Sequence, residues 1–293
     1  MTKGVRTLAL AAALGVVFVP TYAAAGSGAS PASVRKQIES SMVVSGRIDI
    51  EPDGSVSRLD LDHEDQLPDG VIKLVRGNAM QWKFEPVERD GHLVKARAPM
   101  NLRVVAKKLD NGDYQVALRG VSFERYDAKD PTGLGTINMG PPRYPTSAFR
   151  AGAGGTVYLA VKVGGDGRVE DAVAEQVNLR IIAAEGDMQR LRKAFADSAI
   201  DAARQWRFRV PTQGAEADKP FWNVRVPVSY ALSRDDPQPY GKWVAYVPGP
   251  RQPAPWSQAG KNGASFLPDT LAEGGVYLAD SQAPRLLTPL QGG

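Results

Sequence analysis

The sequence predicts an α+β protein made of two tandem units, each a small antiparallel sheet packed against one main helix. Stretches of alternating apolar residues are joined by glycine-containing turns, which is typical of hairpins. Each of two such hairpins is followed by apolar residues at helical spacing. A Trp-x-Phe sequence ends each helical stretch, beginning at Trp82 and at Trp206. Twenty residues then separate each Trp from the next strand, at Leu102 and at Val226, so we interpret the units as a tandem duplication.

The N-terminal residues 1–25 have the pattern of a secretory signal peptide. Lys3 and Arg6 precede an apolar run of twelve residues, and small residues at 23–25 provide a cleavage site. A helix that spans a membrane needs about 20 apolar residues. We therefore expect export to the periplasm, cleavage near Ala25, a soluble mature protein and no retained transmembrane helix. An uncleaved short anchor is the alternative.

The charge balance and the absence of cysteine exclude several classes of function. Without Lys3 and Arg6, 34 basic side chains remain against 32 acidic ones, and no run of like charge occurs. Nucleic acid is therefore not an expected partner, because its binding requires a basic surface. The chain has 0 cysteines, which excludes disulfides, thiolate metal sites and a lipid-modified N-terminal cysteine.

The first unit is predicted at residues 42–124. Its first hairpin occupies residues 42–61, with a turn at 52–54. The helical face that follows ends at Trp82. A further hairpin at 102–123 turns at an Asn-Gly pair, and we expect its last strand to cover the edge of the sheet.

The second unit is predicted at residues 141–232. Residues 155–163 alternate as a half-buried strand, and a glycine-rich turn at 164–167 leads to a returning strand. The interval between this turn and Trp206 is eleven residues longer than in the first unit, which predicts an insertion around residues 178–188. The helical face consists of Leu191, Phe195, Ala199, Ala202 and Trp206.

Two segments are predicted to lack a regular fold. Residues 125–140 carry several Gly and Pro breakers and are expected to link the units. The tail, residues 233–293, holds nine of the 22 prolines and is expected to be mostly disordered. The exception is 242–247, which is rich in strand formers and is expected to cover the edge of the strand at 223–230.

Six apolar side chains are the predicted core residues. The Trp and Phe of each Trp-x-Phe sequence point to one face of a strand, where each ring is buried between helix and sheet. We assign them a structural role. The six residues are Trp82, Phe84, Leu191, Phe195, Trp206 and Phe208.

The sequence contains no recognisable catalytic pattern. His63 and His92 stand in polar, turn-like stretches without the spacing of a nucleophile or metal site. Asp49, Glu51 and Asp53, with Asp60 at the twelfth position, imitate a calcium loop, but that position requires a bidentate Glu and the flanks alternate like strands rather than helices. We therefore predict no catalytic residue, no metal site, no cofactor and a protein that is not an enzyme.

Residues 141–232 resemble the C-terminal domain of the TonB family. The residues that carry the resemblance are Tyr144, Pro145, Ala148, Gly152, Gly155, Asp166, Gly167, Arg168, Val169, Trp206, Arg207, Phe208 and the strand at 224–228. The family usually has proline two residues after the Phe, whereas here Arg209 and Val210 precede Pro211. A degenerate second copy is expected at about residues 42–108.

The resemblance implies a periplasmic binding protein of the energy-transducer TonB family, linked to transmembrane transport. It implies pairing with an extended segment of an outer-membrane transporter, or of another envelope protein, by β-strand addition. The implied contact residues are Arg143, Tyr144, Pro145, Asn223, Val224, Arg225, Val226, Val228 and Tyr230. The alternative is a structural scaffold of the cell envelope whose sheet edges are covered by the protein itself.

Overall fold

A computed structural model describes residues 31–109, 111–124, 126–214, 216–232, 240–256, 268–271, 273–279 and 283–290. These residues form two main antiparallel sheets with few helices, which confirms the predicted α+β class. The predicted signal peptide lies outside the described residues.

The first sheet lies mainly in the N-terminal half of the chain. Its strands are β1 (Glu39–Ile50), β2 (Val56–Leu61), β5 (Ala96–Lys108), β6 (Tyr114–Ser122) and β12 (Val244–Tyr246). Their order is β12-β1-β5-β6, and β2 also pairs with β1. The other elements of this half are α1 (Pro31–Arg35), α2 (Asp69–Ala79), a 3-10 turn (Glu64–Gln66) and the small hairpin of β3 (Glu88–Arg89) and β4 (His92–Leu93).

The second sheet is built from the segment with the family resemblance and a piece of the tail. Its strands are β8 (Gly155–Gly164), β9 (Val169–Leu179), β11 (Phe221–Tyr230) and β13 (Tyr277–Leu278), in the order β13-β11-β8-β9. The other elements are α3 (Thr146–Arg150), α4 (Glu185–Ala203), a 3-10 turn (Pro268–Thr270) and a two-stranded ribbon of β7 (Gly135–Asn138) with β10 (Arg207–Arg209).

Each sheet has its own hydrophobic core, set by the alternation of its strands. The six side chains predicted for the core are all buried. In each unit the Trp and Phe rings meet edge to face, with centroids 6.5 Å apart in the first unit and 6.4 Å apart in the second. This ring geometry adds to the free energy gained by burial.

The hairpin turns of the two units make the same contact with the Phe of the Trp-x-Phe sequence. Gly54 and Gly167 have φ angles of 77° and 73°, which favour glycine. A Cβ at either position would lie 2.1 Å from the carbonyl oxygen of Phe84 or Phe208, respectively. The N–H groups of the same Phe residues donate to the glycine carbonyls, over 2.8 Å and 2.9 Å. Glycine is therefore required in both turns.

The strand and the helix that follow the second hairpin turn are longer than those that follow the first. β9 has 11 residues where β2 has 6, and α4 has 19 residues where α2 has 11. Residues 178–188, where the sequence predicts an insertion, form the end of β9, a short connection and the start of α4. Residues 125–140, expected to be a linker, include β7, which pairs with the Trp-x-Phe strand β10.

The tail forms strands with both sheets. The expectation that residues 242–247 cover β11 is wrong, because β12 pairs with β1, with Glu39 opposite Tyr246. Val247 instead exchanges backbone hydrogen bonds with Leu179 at the outer side of β9. The segment that does pair with β11 is β13. The described parts of the tail are therefore ordered against the two units.

No helix in the described part of the chain is long and apolar enough to cross a membrane.

Candidate functional site

The outer side of β11 is the surface to which the predicted strand addition refers. β11 pairs with β8 along its whole length, without a break in register. Its other side pairs with β13 only at Val224 and Arg225, so in the described residues no second strand continues along 226–230. In the described residues, strand pairing on this side is thus limited to the start of β11, although Pro227 is buried there and only Ser229 is exposed.

The direction of the backbone N–H and C=O groups decides which residues of β11 can form hydrogen bonds on its outer side. The carbonyl of Asn223 accepts a hydrogen bond from the N–H of Ala279, over 2.8 Å, and therefore faces β13. Backbone groups alternate in direction along a strand, so those of Arg225, Pro227 and Ser229 also face outward. Pro227 fits this assignment, because its missing N–H falls on the side that does not pair with β8.

The predicted contact residues therefore divide into two sets. Val224, Val226, Val228 and Tyr230 are buried in the core, and their backbone groups face β8. Asn223 and Arg225 are half-buried and face outward, and Ser229, which the sequence reasoning missed, is exposed in the same row. The two-residue period of the strand would have assigned Ser229 to the outward row, once the direction of the backbone groups of one residue was known.

Tyr144 meets the C-terminal end of β11 in an aromatic cluster. Its ring lies 5.7 Å from the ring of Tyr230 and 5.8 Å from that of Phe195, both nearly perpendicular. Its hydroxyl donates to the carbonyl of Ala153. Pro145 caps the start of α3 with φ of −63°, the angle that proline prefers. The structure thus brings two predicted contact residues, Tyr144 and Tyr230, together.

Arg143 lies on an exposed surface that is distinct from the β11 edge. Its carbonyl accepts a hydrogen bond from the Ser198 hydroxyl of α4. Its side chain is exposed at a groove of about 1030 Å³ between α4 and the segment before α3. The far wall is formed by Trp206, whose indole N–H donates to the carbonyl of Gly140 over 2.8 Å. The groove lies between the segment 140–146 and α4. Asn223, at the start of β11, is about 24 Å along the strand from Tyr230, so it is far from this groove.

An ion pair on the face opposite α4 ties β11 to β9. Arg225 donates to both carboxylate oxygens of Glu175, over 2.7 Å and 3.3 Å. The side chains are 14% and 6% exposed, so the pair is largely removed from water. Sequence reasoning missed Glu175, because the two residues are 50 positions apart and no local pattern joins them.

Burial raises the pKa of Tyr230 to about 12, above the usual value near 10. Its hydroxyl donates to the Phe195 carbonyl over 3.2 Å. Between pH 10 and 12 the unfolded chain releases this proton and the folded protein keeps it, so stability falls as the pH rises through this range.

Replacing Tyr230 by Phe should therefore flatten the alkaline loss of stability. Between about pH 9 and about pH 11 the wild type should lose about 1 kcal/mol more than Tyr230→Phe. Denaturant unfolding at the two pH values measures the difference. Burial also raises the pKa of Tyr240, which is present in both proteins and cancels. Equal losses in both proteins would contradict the assignment.

The residues weighed for metal binding are not brought together. Within the described ranges, no group of three or more His, Asp or Glu side chains has a geometry that holds a metal ion. His63 contacts the ring of Tyr240 at 5.8 Å, and His92 lies exposed in β4. Asp49 faces the Arg97 guanidinium, 3.1 Å away.

The geometry defines a class of small α+β domain, in which a hairpin (β8 and β9) and one main helix (α4) pack with a third strand (β11). The side of β11 that faces away from the hairpin pairs only with the short strand β13. Residues 140–232 match the family model described as the Gram-negative bacterial TonB protein C-terminal, which confirms the resemblance for this segment.

Two curated relatives match the same part of the chain. Both are described as Protein TonB, from two strains of Xanthomonas campestris pv. campestris, and each is 38% identical over 100 residues. The match covers 34% of this chain and 39% of each relative, so the chain spans about two fifths of the length of these relatives. No solved structure matches the chain.

Proposed function

We propose that this protein is a non-enzymatic periplasmic member of the TonB family that binds an extended segment of an outer-membrane transporter, or of another envelope protein. The segment adds as a strand to the outer side of β11. This function is linked to TonB-dependent transmembrane transport. The match of residues 140–232 to the TonB C-terminal family carries the proposal.

The arrangement of β11 supports strand addition. An added strand gains affinity from backbone hydrogen bonds, and here the outward groups of Pro227 and Ser229 lie beyond the reach of β13. Tyr144 stands beside the end of the strand, and Arg143, the residue before it, is exposed at the adjoining groove beside α4, where an added segment that continues past Tyr144 would meet it. We assign to the outward residues Asn223, Arg225 and Ser229 the backbone contacts, and to Arg143, Tyr144 and Pro145 the contacts at the end of the strand.

Cross-linking in envelope extracts tests this function. A photoreactive amino acid in place of Ser229 should give adducts with outer-membrane transporters, because this residue lies on the outward side. The same group in place of Asp197, exposed on α4, is the control and should give none. Equal adducts at both positions, or none at Ser229, would argue against strand addition.

The alternative is a structural scaffold of the cell envelope, and the course of the tail favours it. Gln252 donates to the carbonyl of Glu175 in β9 over 2.8 Å, and Val247 bridges to Leu179. The carbonyl of Arg285 accepts a hydrogen bond from the backbone N–H of Glu85, next to the Trp-x-Phe sequence of the first unit. A protein that covers its own edges avoids unwanted pairing. The scaffold predicts no transporter adduct at any position.

We also propose that the first unit is a degenerate copy of the second. The two share the order of hairpin, helix, Trp-x-Phe sequence and last strand, and the same glycine contact in the turn. In the first unit, β6 pairs with β5 from Asn101 to Lys108 and so occupies the side that corresponds to the outer side of β11. Partner binding is therefore assigned to the second unit.

The N-terminus decides whether the protein is free in the periplasm. We expect the intact mass of the periplasmic protein to correspond to a start at or near Gly26, because the apolar run is too short to span a membrane. Intact-mass spectrometry of fractionated cells is the measurement. Full-length chain in the inner-membrane fraction would instead favour an anchor.

A further inference from the structure

The tail segment 276–279 occupies the start of the outer side of β11 as an antiparallel strand. Leu278 lies opposite Val224 and Tyr277 opposite Arg225. The N–H of Ala279 donates to the Asn223 carbonyl over 2.8 Å. An external strand that pairs along the whole of β11 needs these same backbone groups. The tail and such a strand therefore exclude each other at this end.

The side chains of the segment complete the core of the second unit. Residues paired across an antiparallel ladder share a face, so Leu278 lies on the core face with Val224. Val276, two residues earlier, is on the same face and is 4% exposed within this core. Between them, Tyr277 lies on the opposite face, 5% exposed, with its ring 6.3 Å from that of Tyr126.

We propose that residues 276–279 are an internal occupant of the binding edge, and that the partner segment replaces them in the same register. This inference rests on the proposed function. The pattern of the occupant defines the partner: an extended segment with two aliphatic residues at alternate positions and an aromatic residue between them. A charged residue at the position of Val276 is excluded, because it would be buried in the core without compensation, and one at the half-buried position of Leu278 is disfavoured.

Two substitutions of Ala279 test whether pairing of the tail with β11 limits binding. One weakens this pairing and the other keeps it. Ala279→Pro removes the backbone N–H that donates to the Asn223 carbonyl. Ala279→Ser keeps this backbone N–H and has a side chain of similar size. The probes are a synthetic peptide with the sequence of residues 274–280 and peptides from the N-terminal segments of outer-membrane transporters. The full-length mature Ala279→Pro protein should bind the probes at least about fivefold more tightly than wild type, the factor that corresponds to one lost hydrogen bond. Ala279→Ser should bind as wild type does.

A disulfide locks the same edge. Val224 and Leu278 face each other between two hydrogen-bonded pairs, where Cα atoms lie about 4.5 Å apart, within the range for a disulfide. The chain has 0 cysteines of its own, so Val224→Cys with Leu278→Cys gives a single pair of thiols. The oxidised protein should bind neither probe, and the same protein after reduction should bind both. Circular dichroism before and after reduction checks that the fold is unchanged.

The outcomes separate this inference from the proposed function. If wild type, Ala279→Pro and the oxidised double variant bind transporter peptides equally, the tail does not compete and the inference is wrong, while strand addition to residues 226–230, beyond β13, is not contradicted. If Ala279→Pro and the reduced double variant retain the wild-type circular dichroism and bind neither probe, β11 accepts no external strand and both proposals fail. Tighter binding of the transporter peptides alone supports competition by the tail but contradicts the pattern of the partner.

Discussion

Replacing Trp206 by Ala is expected to lower the free energy of unfolding by roughly 3 to 5 kcal/mol, the usual cost of removing a large buried ring. Trp206 is 3% exposed, packs edge to face on Phe208 and donates its indole N–H to Gly140. A domain has a total stability of about 5 to 15 kcal/mol, so much of the second unit should unfold in mild denaturant. Denaturant unfolding followed by circular dichroism measures the change.

Two further substitutions serve as references for this result. Trp243→Ala removes an equally large side chain that is 37% exposed, and it should cost well under half as much. Trp82→Ala should destabilise the first unit to a similar extent as Trp206→Ala destabilises the second, because Trp82 is 2% exposed and makes the corresponding ring contact. If Trp206→Ala unfolds like wild type, the helix does not close over this ring.

Replacing Glu175 by Ala is expected to cost about 3 to 5 kcal/mol, because it removes the carboxylate that compensates the buried guanidinium of Arg225. The ion pair joins β9 to β11 across β8, so its loss should also loosen the strand that carries the candidate site. Thermal and denaturant unfolding of the full chain measure the effect, and hydrogen exchange at Arg225 shows whether β11 is loosened locally.

The exposed ion pair of Lys193 with Asp197 is the matched control. Its atoms are 2.7 Å apart, but the side chains are 76% and 56% exposed. Solvent screens such a pair, so Asp197→Ala should change stability by no more than about 0.5 kcal/mol. A cost for Glu175→Ala as small as that of Asp197→Ala would show that Arg225 finds water or another partner at no cost.

The elements that depend on local pattern were predictable. Helical spacing in α4 follows from the order of apolar residues and identifies the face that is buried. Alternation in β8 predicted a strand that is buried on one face, whereas nine of its ten residues are buried, so that part of the prediction is wrong. The Trp-x-Phe sequences are a strong signal, because two rings two residues apart on a strand must share one face. These patterns placed Trp206 and Phe208 where the structure buries them.

The course of the tail was not predictable from its sequence. β12 has three residues and β13 has two, too few for a periodicity. Residues 242–247 are good strand formers, but propensity states only that they favour a strand and not which edge they join. The choice of β1 over β11 depends on contacts between distant segments, such as the hydrogen bond from Tyr246 to Glu39, over 2.9 Å.

The central claim is that an external segment adds as a strand to the outer side of β11. Hydrogen exchange of the Ser229 amide, with and without a bound transporter peptide, tests it most directly. Ser229 is exposed and faces outward, whereas the neighbouring Val228 amide faces β8 and serves as an internal reference. The account predicts that the peptide slows exchange at Ser229 and leaves Val228 as it is. A peptide that binds without slowing exchange at Ser229 would contradict strand addition at this edge.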